Sequence, residues 1–172
     1  MRVAALAVVA LTVIASGCTS TYSQSTLAQP TGKLAKEKSV VVATPADGFY
    51  ESKQYSGSGR MTAQAVSAAF ANFSAATTVV PECQNLACLQ EGKYSSFDYY
   101  VIPEILHWED RNTEWSGKKD KLEVKVSIYE GGSWKELAST VISGKSKWAT
   151  FGGDHPQDLL PEPLKEYIES LY

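Results

Sequence analysis

Val40-Val41-Val42-Ala43 is an unbroken apolar run, with lysines just before it and Pro45 just after. A strand alternates its side chains between two faces, so four apolar residues in a row leave no face for water. Such a strand is buried on both sides and belongs inside a sheet with cover above and below. A Gly- and Ser-rich loop, Asp47 to Arg60, comes next, and Thr62 can cap a helix running to about Ser74. In that helix Val66, Ala69, Phe70 and Phe73 form one apolar stripe, and the alanines between them let it lie close to a sheet. Thr77 to Val80 is β-branched and reads as a second strand. Strand, helix and strand in this order imply a right-handed parallel crossover.

The second half has a different rhythm. Residues 83–92 read as a short helix or loop. Asp98 to Trp108 is a third strand whose two faces, Tyr99, Val101, Ile105 and Tyr100, Ile102, Leu106, are both substantially apolar. Pro103 inside it predicts a bulge or an edge. Leu122, Val124, Val126 and Ile128 then alternate with Glu123, Lys125, Ser127 and Tyr129, the pattern of a half-exposed antiparallel strand. Gly131-Gly132 marks a hairpin turn, and Trp134 to Trp148 returns as a fifth strand. Pro163 opens a last helix with Leu164, Tyr167, Ile168 and Leu171 on one face. The expected fold is therefore α/β: a single mixed β-sheet of about five strands, ordered β-α-β-(α)-β-β-β-α, with helices packed on it.

The chain opens with Met1 and Arg2, followed by an apolar or small run from Val3 to Ala15. That run is shorter than the roughly 20 apolar residues a membrane span needs. A basic start, a short apolar stretch and small residues describe a secretory signal over residues 1–17. Ala15-Ser16-Gly17-Cys18 resembles the lipobox of bacterial lipoproteins, with Ala15 where leucine is preferred. The resemblance implies cleavage before Cys18 and acylation of its thiol and amine, a membrane anchor of two or three chains. Thr19, where inner-membrane lipoproteins carry Asp, implies sorting to the outer membrane, periplasmic side. Residues 18–38, rich in Ser, Thr, Gln and Lys without a hydrophobic period, read as a flexible tether. Residues 39–172 then form a single domain. Loss of Arg2 with the signal moves the net charge from −3 to −4. Such a chain has no electrostatic footprint for nucleic acid, and no polybasic run for anionic lipid.

Cys83 and Cys88 are the cysteines left after lipidation. In an oxidising compartment a disulfide is the first reading, with free thiols or metal ligation as alternatives. Five residues of regular helix separate Cα atoms too far for a disulfide, so bonding requires a turn or a broken helix there. The two histidines, His107 and His155, show no metal-ligand spacing and suggest no catalytic triad, so neither a metal nor a cofactor is expected. The loop Asp47 to Arg60 stands where phosphate loops lie in α/β sheets, but Gly57-Ser58-Gly59-Arg60 matches neither phosphate-binding pattern, and a surface loop is the plainer reading. Glu109, Asp110 and Arg111 read as a solvated stretch of mixed sign. The tryptophans at 108, 115, 134 and 148 suit either core packing or a recognition surface. A candidate binding surface would draw on Arg60, His107, Trp108, Arg111 and Trp115. It would add Lys145, Lys147, Trp148 and His155.

Four segments carry a family resemblance. They are Val40-Val41-Val42-Ala43-Thr44-Pro45-Ala46-Asp47-Gly48, Tyr55-Ser56-Gly57-Ser58-Gly59, Pro103-Glu104-Ile105-Leu106-His107-Trp108-Glu109-Asp110-Arg111, and the stretch from Gly144-Lys145-Ser146-Lys147-Trp148 to Gly152-Gly153-Asp154-His155-Pro156. They resemble the bacterial lipoproteins of the domain of unknown function 4823 family, which implies an address and no established activity. The strand order is also similar, in topology alone, to the N-terminal domain of TolB. The functional expectation is a lipid-anchored outer-membrane lipoprotein that is not an enzyme and acts as an envelope assembly or accessory module through a protein partner. A lipoprotein that binds a glycan, nucleotide or other small anion is the alternative, and an unrecognised hydrolase a third. The last stretch, Gly144 to Pro156, is expected to be a strand end and turn, with Trp148 and Phe151 pinned on the C-terminal helix.

Overall fold

The computed structural model describes residues 20–111, 118–147 and 155–172. The elements are β1 (Thr21–Ala28), β2 (Lys38–Ala43), β3 (Phe49–Tyr50), β4 (Lys53–Gln54), α1 (Ser58–Phe70), β5 (Ser74–Val80), α2 (Leu86–Gln90), β6 (Tyr99–Glu109), β7 (Lys121–Glu130), β8 (Glu136–Lys145) and α3 (Pro161–Leu171). Six strands make one mixed sheet in the order β1-β8-β7-β6-β2-β5, and β3 and β4 form a separate small hairpin. β2 lies parallel to both β5 and β6, so the apolar run is central, as its lack of a polar face demands. From β6 through β7 and β8 to β1 every pairing is antiparallel.

Helices α1 and α3 cover one face. Val66 and Phe70 from α1, and Leu164, Ile168 and Leu171 from α3, pack on Val40, Val42, Val101, Val124 and Val126 of the sheet. The short helix α2 covers part of the other face through Leu89, against Val41, Ala43, Tyr100 and Ile102. Among the described residues no helix is long and apolar enough to cross a membrane.

Three expectations need correction. The first is the tether over 18–38. Thr21 to Ala28 pairs with β8 as an edge strand, from Thr21 opposite Lys145 to Ala28 opposite Ser139. The chain then stays docked: the Leu34 N–H donates to the Leu171 carbonyl at 2.8 Å, and the Ala35 N–H to the Tyr99 hydroxyl at 2.9 Å. Most β1 side chains are exposed on both faces, so backbone hydrogen bonds hold the strand and no hydrophobic period records it.

The second concerns the helix start. α1 begins at Ser58, one turn before Thr62. The Asp47 carboxylate accepts from the Gly57 N–H at 3.1 Å and the Gly59 N–H at 2.9 Å, capping the helix from across the loop. Thr62 lies inside the helix and donates back to the Ser58 carbonyl at 2.9 Å. A Cβ at Gly59 would stand 2.1 Å from the Pro45 carbonyl oxygen, so only glycine fits that close approach.

The third is β6. Its pairing with β2 ends at Val101, so Pro103 falls on a stretch with one strand neighbour in the main sheet, as the edge reading expects. The irregularity lies later, between Ile105 and His107, where Leu106 is extra. A one-residue slip exchanges the two faces of a strand. It sends Trp108 into the core, at 1% exposure, and puts His107 and Glu109 on the opposite face.

Candidate functional site

The register aligns four residues in one row across the sheet: Thr21 opposite Lys145, Lys145 opposite Lys121, and Lys121 opposite Glu109. This row ends the sheet where β6 and β8 finish and β1 and β7 begin. His107, one pleat back on β6, stands opposite Glu123.

Glu109 closes the row, and its side chain is 2% exposed. One carboxylate oxygen is held by Nε and Nη2 of Arg111. The other lies 3.2 Å from His107 Nε2 and 3.3 Å from Lys121 Nζ. Burial opposes ionisation of this carboxyl, but hydrogen bonds from His107, Arg111 and Lys121 outweigh it and hold the group below its ordinary range. The small hairpin closes over the cluster. Tyr50 lies under the Arg111 guanidinium, 5.0 Å from its ring centre, and its hydroxyl accepts from Nη2 at 3.0 Å. The His107 ring meets the Tyr50 ring edge-on at 5.3 Å.

A second carboxylate set adjoins the first. Asp120 Oδ1 accepts the Arg111 backbone N–H at 2.6 Å, and the Asp120 N–H donates to Ser146 Oγ at 2.9 Å. Burial raises the Asp120 carboxyl above its ordinary value, and the nearby Asp110 adds to that, against the Arg111 N–H. Asp110 in turn lies 3.4 Å from His155 Nδ1.

The structure therefore gathers His107 and Arg111 around one carboxylate, with His155 joined through Asp110 and exposed Lys145 and Lys147 on the neighbouring strand end. Trp108 is corrected out of the candidate surface, because the β6 bulge buries it beneath Gly48, where an added Cβ would stand 2.6 Å from the Trp108 Cβ. Arg60 is exposed on the first turn of α1, and no ion pair among the described residues joins it to the cluster. Cys18, Trp115, Trp148 and Phe151 lie outside the described residues. Glu109, read from sequence as part of a solvated stretch, is the buried end of β6. Tyr50, Lys121 and Asp120 were not singled out by sequence. One signal was present: Glu104 and Glu109 on β6 face Lys125 and Lys121 on β7, opposite charges at matching strand positions.

Two other expectations concern loops. Cys83 and Cys88 form a disulfide, Cα atoms 5.4 Å apart, because Cys83 lies in the turn before α2 and Cys88 within it. Asn85 caps α2, its side chain accepting from the Cys88 N–H at 3.0 Å. At the start of α1 the amide groups that would attract an anion already hold the chain's own Asp47 carboxylate.

Chemically, Glu109 is a buried carboxylate ringed by Arg111, Lys121 and His107, whose hydrogen bonds favour its ionised form. Among the described residues no group of three or more His, Cys, Asp or Glu is placed to hold a metal ion.

No curated protein sequence matches the chain. Among solved structures it is similar to the PelC dodecamer from Paraburkholderia phytofirmans, with a TM-score of 0.63 at 13% identity over 86% of this chain and 96% of that one. It is also similar to protein XCC0632 from Xanthomonas campestris, of the DUF330 family, with a TM-score of 0.50 at 13% identity over 83% of this chain and 92% of that one. At such identities the likeness is one of fold. In sequence, the model of the family described as domain of unknown function (DUF4823) matches residues 32–171, and the chain belongs to that family.

Proposed function

We propose that this protein is a lipid-anchored, non-enzymatic lipoprotein on the periplasmic side of the outer membrane that works by protein contact, as an assembly or accessory module built from several copies. The observation that carries this reading is the state of the two sheet edges. β1 and β5 are the outermost strands, and neither contains a charged residue or a proline. Natural edge strands are usually guarded by such residues, because their unpaired N–H and C=O groups invite another strand. The two edges also run in opposite directions: β5 is parallel to β6, and three antiparallel steps lead from β6 to β1. Copies set side by side in one orientation thus bring β1 of one against β5 of the next as an antiparallel pair, a heterologous contact that repeats. A second copy is the occupant this supports, and the similar fold of PelC occurs as a dodecamer.

The small-ligand alternative calls for a deep cleft lined by tryptophans, Arg60, Lys145 and Lys147. A hollow of about 380 Å³ opens beside Phe49, Pro103 and Ile105, and none of the described tryptophans, Arg60, Lys145 or Lys147 lines it.

Light scattering on the mature protein, with and without Thr78→Lys on β5, tests the reading. The expected result is an assembly of several copies that falls to monomer when the edge is charged. A wild-type chain that stays monomeric at all concentrations, and yields no crosslinked envelope partner in cells, overturns it.

A further inference from the structure

The row Thr21, Lys145, Lys121, Glu109 has a consequence for how the domain meets the membrane. We propose that this end of the sheet rests on the phospholipid surface that holds Cys18, with Lys121, Lys145 and Lys147 against anionic headgroups. The inference rests on the acylation of Cys18 proposed above.

Thr21, the first residue of β1, stands only three residues after Cys18. Fully extended, that stretch reaches about 10 Å. The headgroup layer on each side of a bilayer is roughly 5–8 Å deep. A lipid-bearing Cys18 therefore leaves Thr21 only a few ångströms beyond the headgroups. The segment expected to lift the domain as a tether is instead docked on it, at β1 and at Leu34. Because β1 starts in the row, β8 and β7 bring Lys145 and Lys121 to the same level.

The charge at this end suits that place. Arg111, Lys118, Lys119, Lys121, Lys145 and Lys147 stand there with Glu109, Asp110, Asp120, Glu123 and Asp158, a small excess of cations. The remaining described residues carry an excess of acids. Lys145 and Lys147 are exposed, and neither has an ion pair among the described residues. The sequence shows no long basic run because the cations come from two separate short segments, residues 118–121 and 145–147, with Arg111 apart from both. An anionic leaflet attracts such groups within a Debye length.

Lysine footprinting tests the orientation on the acylated mature protein in vesicles of phosphatidylcholine with phosphatidylglycerol. An amine-reactive label is read by mass spectrometry, against the same protein in detergent. Labelling is expected to fall several-fold at Lys121, Lys145 and Lys147. It should stay unchanged at Lys36 and Lys135, at the opposite end of the sheet. Equal labelling of both groups overturns the proposal. A second arm uses the mature chain with Cys18→Ser, which removes the anchor. Its binding to the same vesicles should drop roughly 25-fold with Lys145→Gln and Lys147→Gln together, about fivefold for each lysine. Lys36→Gln with Lys135→Gln should leave it unchanged, and equal loss in the two pairs also overturns the proposal. Palmitate incorporation into the wild-type chain reports on acylation separately. Unlabelled Cys18 with headgroup binding intact would sink the anchor and leave the surface standing.

Discussion

Glu109 shows how one side chain can hold several elements together. Its carboxylate ties Arg111 beyond the end of β6, Lys121 at the start of β7 and, through Arg111, Tyr50 of the small hairpin. Replacing it with Gln leaves those cations around a neutral group, an expected loss of about 3 kcal/mol at pH 7 by analogy with broken buried pairs. The pH dependence has a definite sign. Because the folded carboxyl lies below its ordinary value of 4.5, its contribution is complete above that value and disappears as pH falls through it toward the folded one. Urea unfolding of wild type and Glu109→Gln should therefore differ most near neutrality and converge in acid. Asp120 works the other way. Burial lifts its folded value above 3.8, so its stabilisation is greatest in acid and is lost as pH rises. A gap between the two unfolding curves that widened below pH 4.5 would show that Glu109 is not held ionised by its partners.

At the scale of elements, two short-range devices set where helices begin. Asp47 gathers the Gly57 and Gly59 N–H groups at the mouth of α1, with the Ser58 hydroxyl at 3.5 Å. Asp47→Ala is expected to cost about 1–2 kcal/mol, the range for a lost helix cap. Gly59→Ala should cost more, since its Cβ would meet the Pro45 carbonyl. Thermal melts of the two variants check the order, and an unchanged melting temperature in Asp47→Ala would mean that water caps the helix equally well. On the other face, the Cys83–Cys88 bridge closes a small loop onto α2, beneath which Leu89 fills the second core. In the chain-entropy model so short a loop contributes about 2 kcal/mol. Reduction should loosen α2 and leave the main core intact, as seen by hydrogen exchange confined to residues 82–94.

For the molecule as a whole, stability should be graded across the sheet. β2, β6 and β7 are covered by the α1–α3 layer, while β1 keeps most of its side chains in water. Its amides are expected to exchange by local opening, well before those of β2 and β7, which should wait for global unfolding. Tyr22 is the one β1 side chain that packs on the main core, so it should mark the slowest part of that strand. Uniform protection across all six strands would mean that the edge is already covered, as assembly of several copies would cover it.

Much of the frame was legible from residues alone. The unbroken Val40–Ala43 run, the Val66–Phe70 stripe, the alternation from Leu122 to Ile128 and the Leu164–Leu171 face each encode their burial locally, because side-chain period and backbone geometry are linked within one element. The Cys83–Cys88 bridge could be named as the first reading on other grounds, the oxidising compartment that the chain's start implies, and its partners stand only five residues apart. The rest depended on which strands became neighbours. β1 is held by the β8 backbone, a contact that needs no particular side chains and leaves no pattern. Trp108 is core and His107 is not because one extra residue at Leu106 exchanges the faces of β6. Glu109 is buried because Lys121 and Arg111 arrive from beyond a loop to neutralise it, and a basic sheet end exists because separate strands stop in the same row. Periodicity reports what a segment does with its own faces; charge burial and surface fields belong to partners that only the folded chain brings together.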